Sequence, residues 1–486
     1  MNTFFMHKTI EFNGIKLDKY QSKVVMCNHK SYLVVAGAGS GKSLTIAAKI
    51  DYLIKNNISP NKILCISFTN ESVNSLKNVL EKNNIEVDVK TFHRLALDII
   101  GKEYSISSSD YLLYITEEYF NSYVYLDKTY LLLEDYLSNN KKLKFLINTI
   151  VTFIHYMKSL LIDLEYLLKL IKNKDIDINN RVILLVILKI YILYYQELKS
   201  VNRIDFDDMI NKAQDKVLSL KYFKYSHIII DEYQDTSYGK YKLIKNIKDK
   251  FDINLMAVGD DYQSIYSFTG CDLSLFTKFK KFFPKSKIIK LKYTYRNPSD
   301  IVEISKRFVI KNRNQINKKL ISKKYIAKSI NVVYIDNYVE SFISIIKELN
   351  NVLVLGRNNN DIDKIIDNDK LVIYDYKIIY KDDESLNIKF LTVHSSKGLE
   401  EDNVVILNNV DDVLGFPNKI IENEVLDYIF INKQKEEERR LFYVALTRAR
   451  KKVFLFTIKN KESIFVKELL RDFKYKINII DLSKKL

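Results

Sequence analysis

A glycine-rich loop directly after a short apolar run constrains this chain's fold most. The run is Leu33-Val34-Val35, and the loop reads Ala36-Gly37-Ala38-Gly39-Ser40-Gly41-Lys42-Ser43. A strand that enters such a loop and continues into a helix forms the Walker A arrangement, whose backbone N–H groups wrap a polyphosphate. In that arrangement the lysine reaches the β- and γ-phosphates and the Ser43 hydroxyl ligates Mg²⁺. The loop therefore predicts a nucleoside triphosphate site in an α/β fold, although Ala36 replaces the usual first glycine.

A second segment places carboxylates at the end of a strand. Residues 227–230 read His-Ile-Ile-Ile, which is typical of a buried parallel strand, and Asp231 and Glu232 follow it directly. Parallel sheets bind ligands at the carboxyl ends of their strands. Asp231 is therefore predicted to hold Mg²⁺ through water, and Glu232 to polarise the attacking water in phosphoryl transfer. Such a pair alone would more often only start a turn, but Lys42 upstream argues against that alternative.

Further polar and aromatic positions follow along the chain. Gln263 comes after another short strand and is a neutral donor for a γ-phosphate, while Tyr266 and Phe268 offer flat faces on which bases stack. Arg296 and Arg448 lie in polar, loop-like settings. An arginine supplied from across a cleft stabilises charge on the transferring phosphoryl group, although either arginine alone would more often be a surface ion-pair partner.

Taken in order, these segments resemble the UvrD/Rep/PcrA-like helicases of superfamily 1, over roughly residues 17–456. That family reads A-G-A-G-S-G-K-[S/T], which accounts for Ala36, and D-E-[FY]-Q-D-[TS], which matches residues 231–236. Other segments carry the resemblance as well: Leu17–Gln21, Ser67–Asn70, Thr91–His93, Tyr295–Arg296, Leu391–Glu400 and Glu437–Ala449. The resemblance implies an α/β P-loop NTPase with two RecA-like parallel-sheet motor domains. It also implies ATP and Mg²⁺ as cofactors and 3′ to 5′ movement on single-stranded DNA.

The same resemblance implies a role for each matching residue. Gln21 is implied to read the adenine, Tyr295 to stack on it, and Glu400 to lie near the ribose. Arg296 is implied to contact the γ-phosphate, and Arg448 to act as the arginine finger. The predicted catalytic set is Lys42, Glu232, Gln263, Arg296 and Arg448. DNA contacts are implied for eight side chains: Phe68, Asn70, Thr91, His93, Tyr266, Phe268, Thr392 and His394.

The chain departs from the family pattern in three places. Phe268-Thr269 replaces a common Trp-Arg pair, which keeps a stacking face and loses a charge. Tyr262 stands where relatives have a third aspartate after Gly259. Full-size relatives also insert a large accessory subdomain into the interval that is here only residues 358–392. The short interval cannot hold a core of its own, so translocation is expected more firmly than efficient unwinding by the chain alone.

The positions of the motifs divide the chain. Residues 1–95 and 203–290 are predicted to form the first motor domain, and residues 96–202, rich in Leu, Tyr and Ile, a helical insertion in it. Residues 291–486 are predicted to form the second motor domain, with the accessory insertion between about 358 and 390 reduced to a short connector. ATP is expected between the two motor domains.

Composition narrows the class of protein and its partners. The 486 residues carry a net charge of +17, which favours a polyanionic partner, here single-stranded and partly duplex DNA. The three cysteines have no metal-binding spacing and suggest a reducing compartment. Met1 to Lys8 lack the apolar core of a signal peptide, and the apolar run from Val182 to Tyr195 is read as a buried helix. We therefore expect a cytoplasmic protein without a membrane partner.

Other functions stay open at this point. The expected function is a helicase or translocase of DNA repair, replication or recombination, either a monomer or part of a complex, with a possible protein loader. The alternative is an ATP-switched DNA-binding or sensor subunit of a larger assembly, such as a defence system, with little unwinding of its own. A fused nuclease is not expected, because few residues follow the last motif.

Overall fold

Two sheets, built mainly from parallel strands, form the framework of the molecule. The structure, a computed structural model, describes residues 9–126, 129–420, 423–429 and 434–483. Residues 1–8, where we predict no signal peptide, lie outside the described residues. The strands are β1 Glu11–Phe12, β2 Ile15–Lys16, β3 Ser31–Val35, β4 Ile63–Ser67, β5 Asp88–Thr91, β6 Ser105–Ile106, β7 Arg203–Ile204, β8 His227–Ile230, β9 Asn254–Gly259, β10 Lys287–Lys290, β11 Tyr293–Pro298, β12 Ile321–Lys324, β13 Ile330–Tyr334, β14 Asn351–Gly356, β15 Leu371–Tyr374, β16 Lys377–Tyr380, β17 Asn387–Thr392, β18 Glu401–Ile406, β19 Ala449–Thr457 and β20 Ile477–Asp481.

Helices cover both sheets and form one separate helical region. The α-helices are α1 Lys19–Val25, α2 Lys42–Lys55, α3 Asn70–Glu81, α4 Phe92–Ile100, α5 Tyr111–Glu118, α6 Thr129–Leu132, α7 Glu134–Leu137, α8 Asn140–Leu160, α9 Leu164–Lys172, α10 Ile178–Ser200, α11 Phe206–Ser219, α12 Tyr238–Phe251, α13 Leu273–Thr277, α14 Phe279–Phe282, α15 Ser299–Val309, α16 Tyr338–Ile346, α17 Gln434–Leu446 and α18 Ile464–Phe473.

The first sheet has the strand order β10-β3-β9-β8-β4-β5, and each neighbouring pair is parallel. Strands β3 and β4 are buried along their whole length, and β8 along its three isoleucines, as apolar runs in a doubly covered parallel sheet must be. Because β3, β8 and β9 are adjacent and parallel, their carboxyl ends meet at one edge. That edge carries the glycine-rich loop, Asp231 and Asp260.

The second sheet has the order β15-β16-β17-β14-β18-β19-β13-β20. In this order, every neighbouring pair from β17 through β14, β18, β19 and β13 to β20 is parallel. The pairs β15–β16 and β16–β17 are antiparallel. Glu401 pairs with Ala449, so Glu400 and Arg448 lie together at the amino ends of β18 and β19. The two parallel-sheet layers confirm the predicted α/β fold with two RecA-like domains.

The interval between β14 and β17 contains the hairpin of β15 and β16. This hairpin extends the second sheet at its edge and buries Leu371, Ile378 and Tyr380 in the core of that sheet. The connector predicted here is therefore an ordered two-stranded extension of the sheet.

A helical region lies between β6 and β7, two short strands that pair in parallel. Helices α5, α8, α9 and α10 share one apolar core, to which Val425, Leu426 and Ile429 also belong. Helix α10 is, by length and composition, apolar enough to cross a membrane. Its residues Val182 to Leu184, Val186, Ile187 and Ile190 are buried in the helical core, and this packing accounts for their apolar character.

The two sheets are joined by a small parallel pair, β11 and β12, and by helix α15. Strand β11 runs against the glycine-rich loop: the N–H of Tyr295 donates to Gly39 O at 2.9 Å, and the Thr294 hydroxyl donates to Ala38 O at 2.7 Å. The chain thus passes along the nucleotide loop of the first sheet before it builds the second sheet.

Candidate nucleotide and nucleic-acid site

The glycine-rich loop ends where α2 begins, and its glycines are required by backbone geometry. Gly39 and Gly41 have φ values of +65° and +77°, in the left-handed region. A Cβ on Gly39 would also lie 2.3 Å from the Cβ of Arg296 on β11. Ala36 is fully buried beside β9, its N–H donates to Gly259 O at 2.8 Å, and its φ is not positive. An alanine therefore fits at the position where the usual pattern has its first glycine.

Lys42 and the two acids after β8 form a largely buried charge cluster. The Lys42 ammonium pairs with the Glu232 carboxylate, which also accepts from Gln234 Nε2 at 2.6 Å. Burial alone would raise the pKa of Glu232, but attraction to Lys42 and Lys397 lowers it to about 2. Burial and repulsion from Glu232 raise the pKa of Asp231 to about 6. Glu232 is thus held ionised, whereas at Asp231 the attraction of Lys42 and Lys397 does not outweigh burial and the repulsion from Glu232.

Arg448 brings a second charge to the same site from the second sheet. It lies in the turn between α17 and β19, where its Nη2 donates to Gln263 Oε1 at 3.0 Å and its Nη1 to Leu399 O at 3.0 Å. Burial and then repulsion from Arg296 lower the pKa of Arg448 to about 9. A negative phosphoryl group would relieve both effects, which suits a guanidinium that contacts a transferring phosphate.

Arg296 and Glu400 pair with each other at the rim of the site. Glu400 also accepts from Arg450 Nε at 2.9 Å. The pKa of Glu400 is lowered because attraction to Arg296 and Arg450 outweighs its burial. The predicted γ-phosphate and ribose residues therefore already hold one another in place.

Lys397 is a site residue to which the sequence analysis assigned no role. Its ammonium pairs with Asp235 of the first sheet and donates to Gln263 O at 2.8 Å. It also lies 4.6 Å from the ring centroid of Tyr266. Lys397 follows β17, so it ties the second sheet to the acids of the first. Its place in the quoted segment Leu391–Glu400 was the only sequence signal for it.

The predicted adenine residues lie beside the loop, with different contacts. The Tyr295 hydroxyl donates to Asp18 Oδ2 at 2.8 Å, and its ring is partly exposed. Gln21 is buried; its amide completes the capping box of α1 with Asp18 and donates to Ser40 O at 3.3 Å. In this structure Gln21 supports the loop, and Tyr295 presents a ring face.

One cavity of about 840 Å³ connects these groups. It is lined from the first sheet by Gly37, Gly39 to Leu44, Asp231, Glu232 and Gln263, and from the second by Arg448, Arg450 and residues 397–400. Tyr295, Arg296, Phe68, Tyr266 and His394 line it as well. Ala36, Ala38 and Gln21 do not line the cavity. The predicted catalytic residues thus face one space between the two sheets, which we name the cleft.

Three predicted DNA-contacting side chains form an aromatic cluster at the cleft. The ring centroids of Phe268 and His394 are 5.9 Å apart, and those of Tyr266 and Phe268 are also 5.9 Å apart. Burial, then repulsion from Arg357 and Lys397, lowers the pKa of His394 to about 4, so its ring is neutral at pH 7. Phe268 is 53% exposed. The cluster presents flat, uncharged faces of the kind on which bases stack.

The other five predicted DNA-contacting side chains make different contacts. Phe68 lies 4.0 Å from the Lys240 ammonium and packs against Phe92, and Asn70 starts α3 with an exposed side chain. Thr91 caps α4 by accepting from Arg94 N at 3.1 Å. Two more complete the set: His93 packs edge-on against Phe206, and the Thr392 hydroxyl contacts Ser395 Oγ at 3.0 Å.

The structure gives the Tyr262 departure a physical account. The Tyr262 ring lies 3.8 Å below the Lys318 ammonium, and its hydroxyl donates to Ile316 O at 3.0 Å. Lys318 pairs with both Asp260 and Asp261, and all three side chains are fully buried. We name Lys318, Asp260, Asp261 and Tyr262 the clamp. It fixes the segment after α15 onto the first sheet, and no sequence motif marked Lys318 for this role.

Thr269, the other departure, is used locally. Its hydroxyl donates to Tyr266 O at 2.8 Å and contacts Cys271 Sγ at 3.1 Å. Threonine therefore closes the turn that carries Tyr266 and Phe268, and supplies no charge to the cleft.

Comparison with known proteins agrees with this geometry. The family model of the UvrD/REP helicase N-terminal domain matches residues 17–284, and that of the viral superfamily 1 RNA helicase core domain matches residues 208–457. The ATP-dependent DNA helicase Rep of Buchnera aphidicola subsp. Baizongia pistaciae is 31% identical over 63% of this chain and 44% of its own length. DNA helicase IV of Escherichia coli is 27% identical over 94% of this chain and 70% of its own length. The ATP-dependent DNA helicase PcrA of Bacillus subtilis is 28% identical over 63% of this chain and 41% of its own length.

The chain spans about half the length of most of these relatives. The first family model nevertheless covers more than half of the chain, and its match contains the glycine-rich loop and the acids after β8. The resemblance seen in the motifs is thereby confirmed: the chain belongs to the UvrD/Rep family of superfamily 1 helicases.

Proposed function

We propose that the chain is a DNA-dependent ATPase that moves 3′ to 5′ along single-stranded DNA. The observation that carries the proposal is the cleft, where Lys42 and Glu232 of one sheet face Arg448 of the other across a single cavity. Hydrolysis at such a site depends on how close the two sheets lie, so it can be coupled to their relative motion.

Mg²⁺ is expected at Ser43 and Asp231. Both residues line the cleft, and Ser43 follows Lys42 in the first turn of α2. The raised pKa of Asp231 fits this assignment, because a divalent cation would stabilise the ionised carboxylate that burial and Glu232 disfavour. When bound, Mg²⁺ would neutralise charge on the phosphate oxygens during transfer.

The protein's own side chains account for the remaining steps. The triphosphate takes over Lys42 from Glu232, which leaves the ionised Glu232 free to orient the attacking water. Gln263 and Arg448, which are hydrogen-bonded to each other, would contact the γ-phosphate together. As charge develops on the transferring group, Arg448 stabilises it from the second sheet.

Translocation would follow from the contacts that join the cleft to the aromatic cluster. Gln263 and Tyr266 belong to one short segment after β9, and Lys397 and His394 to one segment after β17. Lys397 touches both segments through Gln263 O and the Tyr266 ring. Loss of the γ-phosphate would therefore shift the residues on which bases stack.

Steady-state ATP hydrolysis tests the proposal most directly. We would measure turnover without nucleic acid, with single-stranded DNA and with RNA, each at two salt concentrations. Stimulation by single-stranded DNA that weakens with salt is the expected result, because phosphate contacts release counterions. Absence of stimulation by any nucleic acid would contradict the motor.

Two variants assign the chemistry. Glu232→Gln should lower turnover by about 10²–10⁴-fold while ATP still binds. Lys42→Ala should abolish turnover and weaken ATP binding, because it removes the phosphate-binding cation. Substantial residual turnover in either variant would contradict the roles given to these residues.

A further inference from the structure

The hairpin β15–β16 presents exposed aromatic and basic side chains outside every motif of the sequence analysis. Tyr374 and Tyr376 lie at its turn and are 68% and 65% exposed. Of the two, only Tyr376 lines the cleft, which Leu391 and His394 also line. Two similar tyrosines thus differ in whether they face the cavity.

The hairpin holds Tyr376 close to the aromatic cluster. The Phe390 N–H donates to Tyr376 O at 2.8 Å, so the turn is fixed to β17. His394 lies just beyond the end of β17, four residues after Phe390. Because a strand rises about 3.3 Å per residue, Tyr376 and His394 are separated by a distance that a few stacked nucleotides can span.

Two lysines lie next to Tyr376, Lys377 directly after it in sequence and Lys389 on the neighbouring strand. Lys377 and Lys389 are direct cross-strand partners, and both are exposed. Neither forms an ion pair with any residue that the structure describes. Like charges directly opposite one another destabilise a strand pair. A surface with two cations that have no ion-pair partner among the described residues, next to an exposed aromatic residue, matches a polyanion that also carries flat bases.

We propose that Tyr376, Lys377 and Lys389 form an additional contact surface for single-stranded nucleic acid. The proposal rests on the proposed function and extends its strand path from Tyr266, Phe268 and His394 onto the hairpin. Tyr376 stacks on a base, and the two lysines contact the phosphates on either side of it.

The test measures binding of a fluorescently labelled oligo-dT strand by anisotropy, with the full chain at several salt concentrations. Tyr376→Ala should weaken binding about 5- to 100-fold, the range for loss of one stacked base. Tyr374→Ala is the matched control: Tyr374 lies opposite Lys377 and does not line the cleft, so this variant should bind within twofold of the wild type. Equal weakening by both tyrosine variants, or by neither, would overturn the proposal.

A charge variant separates binding from folding. Lys377→Glu faces Lys389 and should form a cross-strand ion pair, which leaves the hairpin at least as stable. The same change should weaken oligo-dT binding and reduce the salt slope by about 0.7 for one lost phosphate contact. An unchanged slope with intact thermal stability would contradict the lysines' role.

The same experiment distinguishes the proposal from the proposed function. If the wild type binds no oligo-dT and single-stranded DNA does not stimulate ATPase, the proposed function fails, and this surface with it. If the wild type binds and is stimulated but Tyr376→Ala binds equally well, only the hairpin surface is refuted. Altered ATP affinity in Tyr376→Ala with unaltered oligo-dT binding would reassign Tyr376 to the nucleotide and also refute it.

Discussion

The cleft and the clamp join the same two parts of the molecule with similar ion pairs, yet their surroundings differ. In the cleft, Lys397 pairs with Asp235 beside a cavity of about 840 Å³. In the clamp, Lys318 pairs with Asp260 and Asp261, and all three side chains have no exposure. A ligand or a proton can reach the first set and exchange for its partners. The second set can act only as a fixed joint.

This difference fits the proposal that catalysis takes place at one interface, while the other fixes the geometry. The clamp touches the cleft through Asp260, whose carboxylate accepts from Gln263 Nε2 at 2.6 Å. Gln263 in turn accepts from Arg448. A fixed joint at Lys318 therefore holds Gln263, which we propose contacts the γ-phosphate. Substitutions in the cleft should therefore lower turnover, whereas substitutions in the clamp should lower the stability of the fold.

The largest effect is expected from Arg448→Ala in the cleft. If Arg448 is the arginine finger, its loss should lower kcat by about 10³–10⁵-fold, because it removes the cation that the second sheet brings to the charge developing on the phosphoryl group. Single-turnover ATP hydrolysis measures the chemical step directly. Arg450, two residues after Arg448, is partly exposed, and Arg450→Ala is the control. It should lower kcat less than tenfold. Equal losses in both variants would show a general effect on the second sheet.

A substitution in the clamp should lower the free energy of unfolding. Lys318→Met removes one partner of a buried ion-pair network and leaves two aspartates uncompensated, which costs about 3–5 kcal/mol. Urea unfolding, followed by fluorescence or circular dichroism, gives this free energy. The exposed neighbour Lys319→Met should change it by less than about 0.5 kcal/mol. A Lys318→Met protein as stable as the wild type would show that the clamp is not a joint.

These two interfaces also differ in how far the sequence predicted them. The nucleotide loop, Asp231, Glu232 and Arg448 were predicted because their chemistry demands particular residues next to particular strands. The two-layer α/β fold followed from the same motifs and from apolar runs such as Ile228-Ile229-Ile230. Lys318 gave no such signal, because a lysine in a lysine-rich stretch looks like solvated surface. Its burial depends on contacts with Asp260 and Asp261, almost 60 residues earlier in the chain.

The hairpin β15–β16 is a second feature that the sequence predicted only in part. The short interval between β14 and β17 predicts too few residues for a separate core. It did not indicate that Leu371, Ile378 and Tyr380 extend the second sheet, since pairing of edge strands depends on the neighbouring strand β17. For Gln21, the structure adds contacts that the motif did not indicate, because the side chain caps α1 and supports the loop; its adenine contact stays a prediction.

Lowering the pH should have a smaller effect, a fall in kcat/KM for MgATP. The titrating group lies in the cleft. Asp231 has a pKa of about 6, raised by burial and by Glu232, so it becomes protonated as the pH falls through 6. Protonated Asp231 cannot hold Mg²⁺, and kcat/KM for MgATP should fall about tenfold per pH unit below that value. Glu232, with its pKa near 2, stays ionised throughout. Nucleotide binding measured in EDTA, without Mg²⁺, is the control. It should not weaken in this way as the pH falls below 6.

The smallest effect tests the one clamp residue that departs from the family pattern. Tyr262→Phe removes the hydroxyl that donates to Ile316 O and keeps the ring below Lys318, so it should cost about 0.5–1.5 kcal/mol of unfolding free energy. The ring's edge contact with Tyr443, at 5.3 Å between centroids, would remain. Urea unfolding of the single variants and of Tyr262→Phe combined with Lys318→Met gives the coupling between the two side chains. Additive losses would mean that Tyr262 and Lys318 act separately, whereas a coupling above about 0.5 kcal/mol would establish them as one joint.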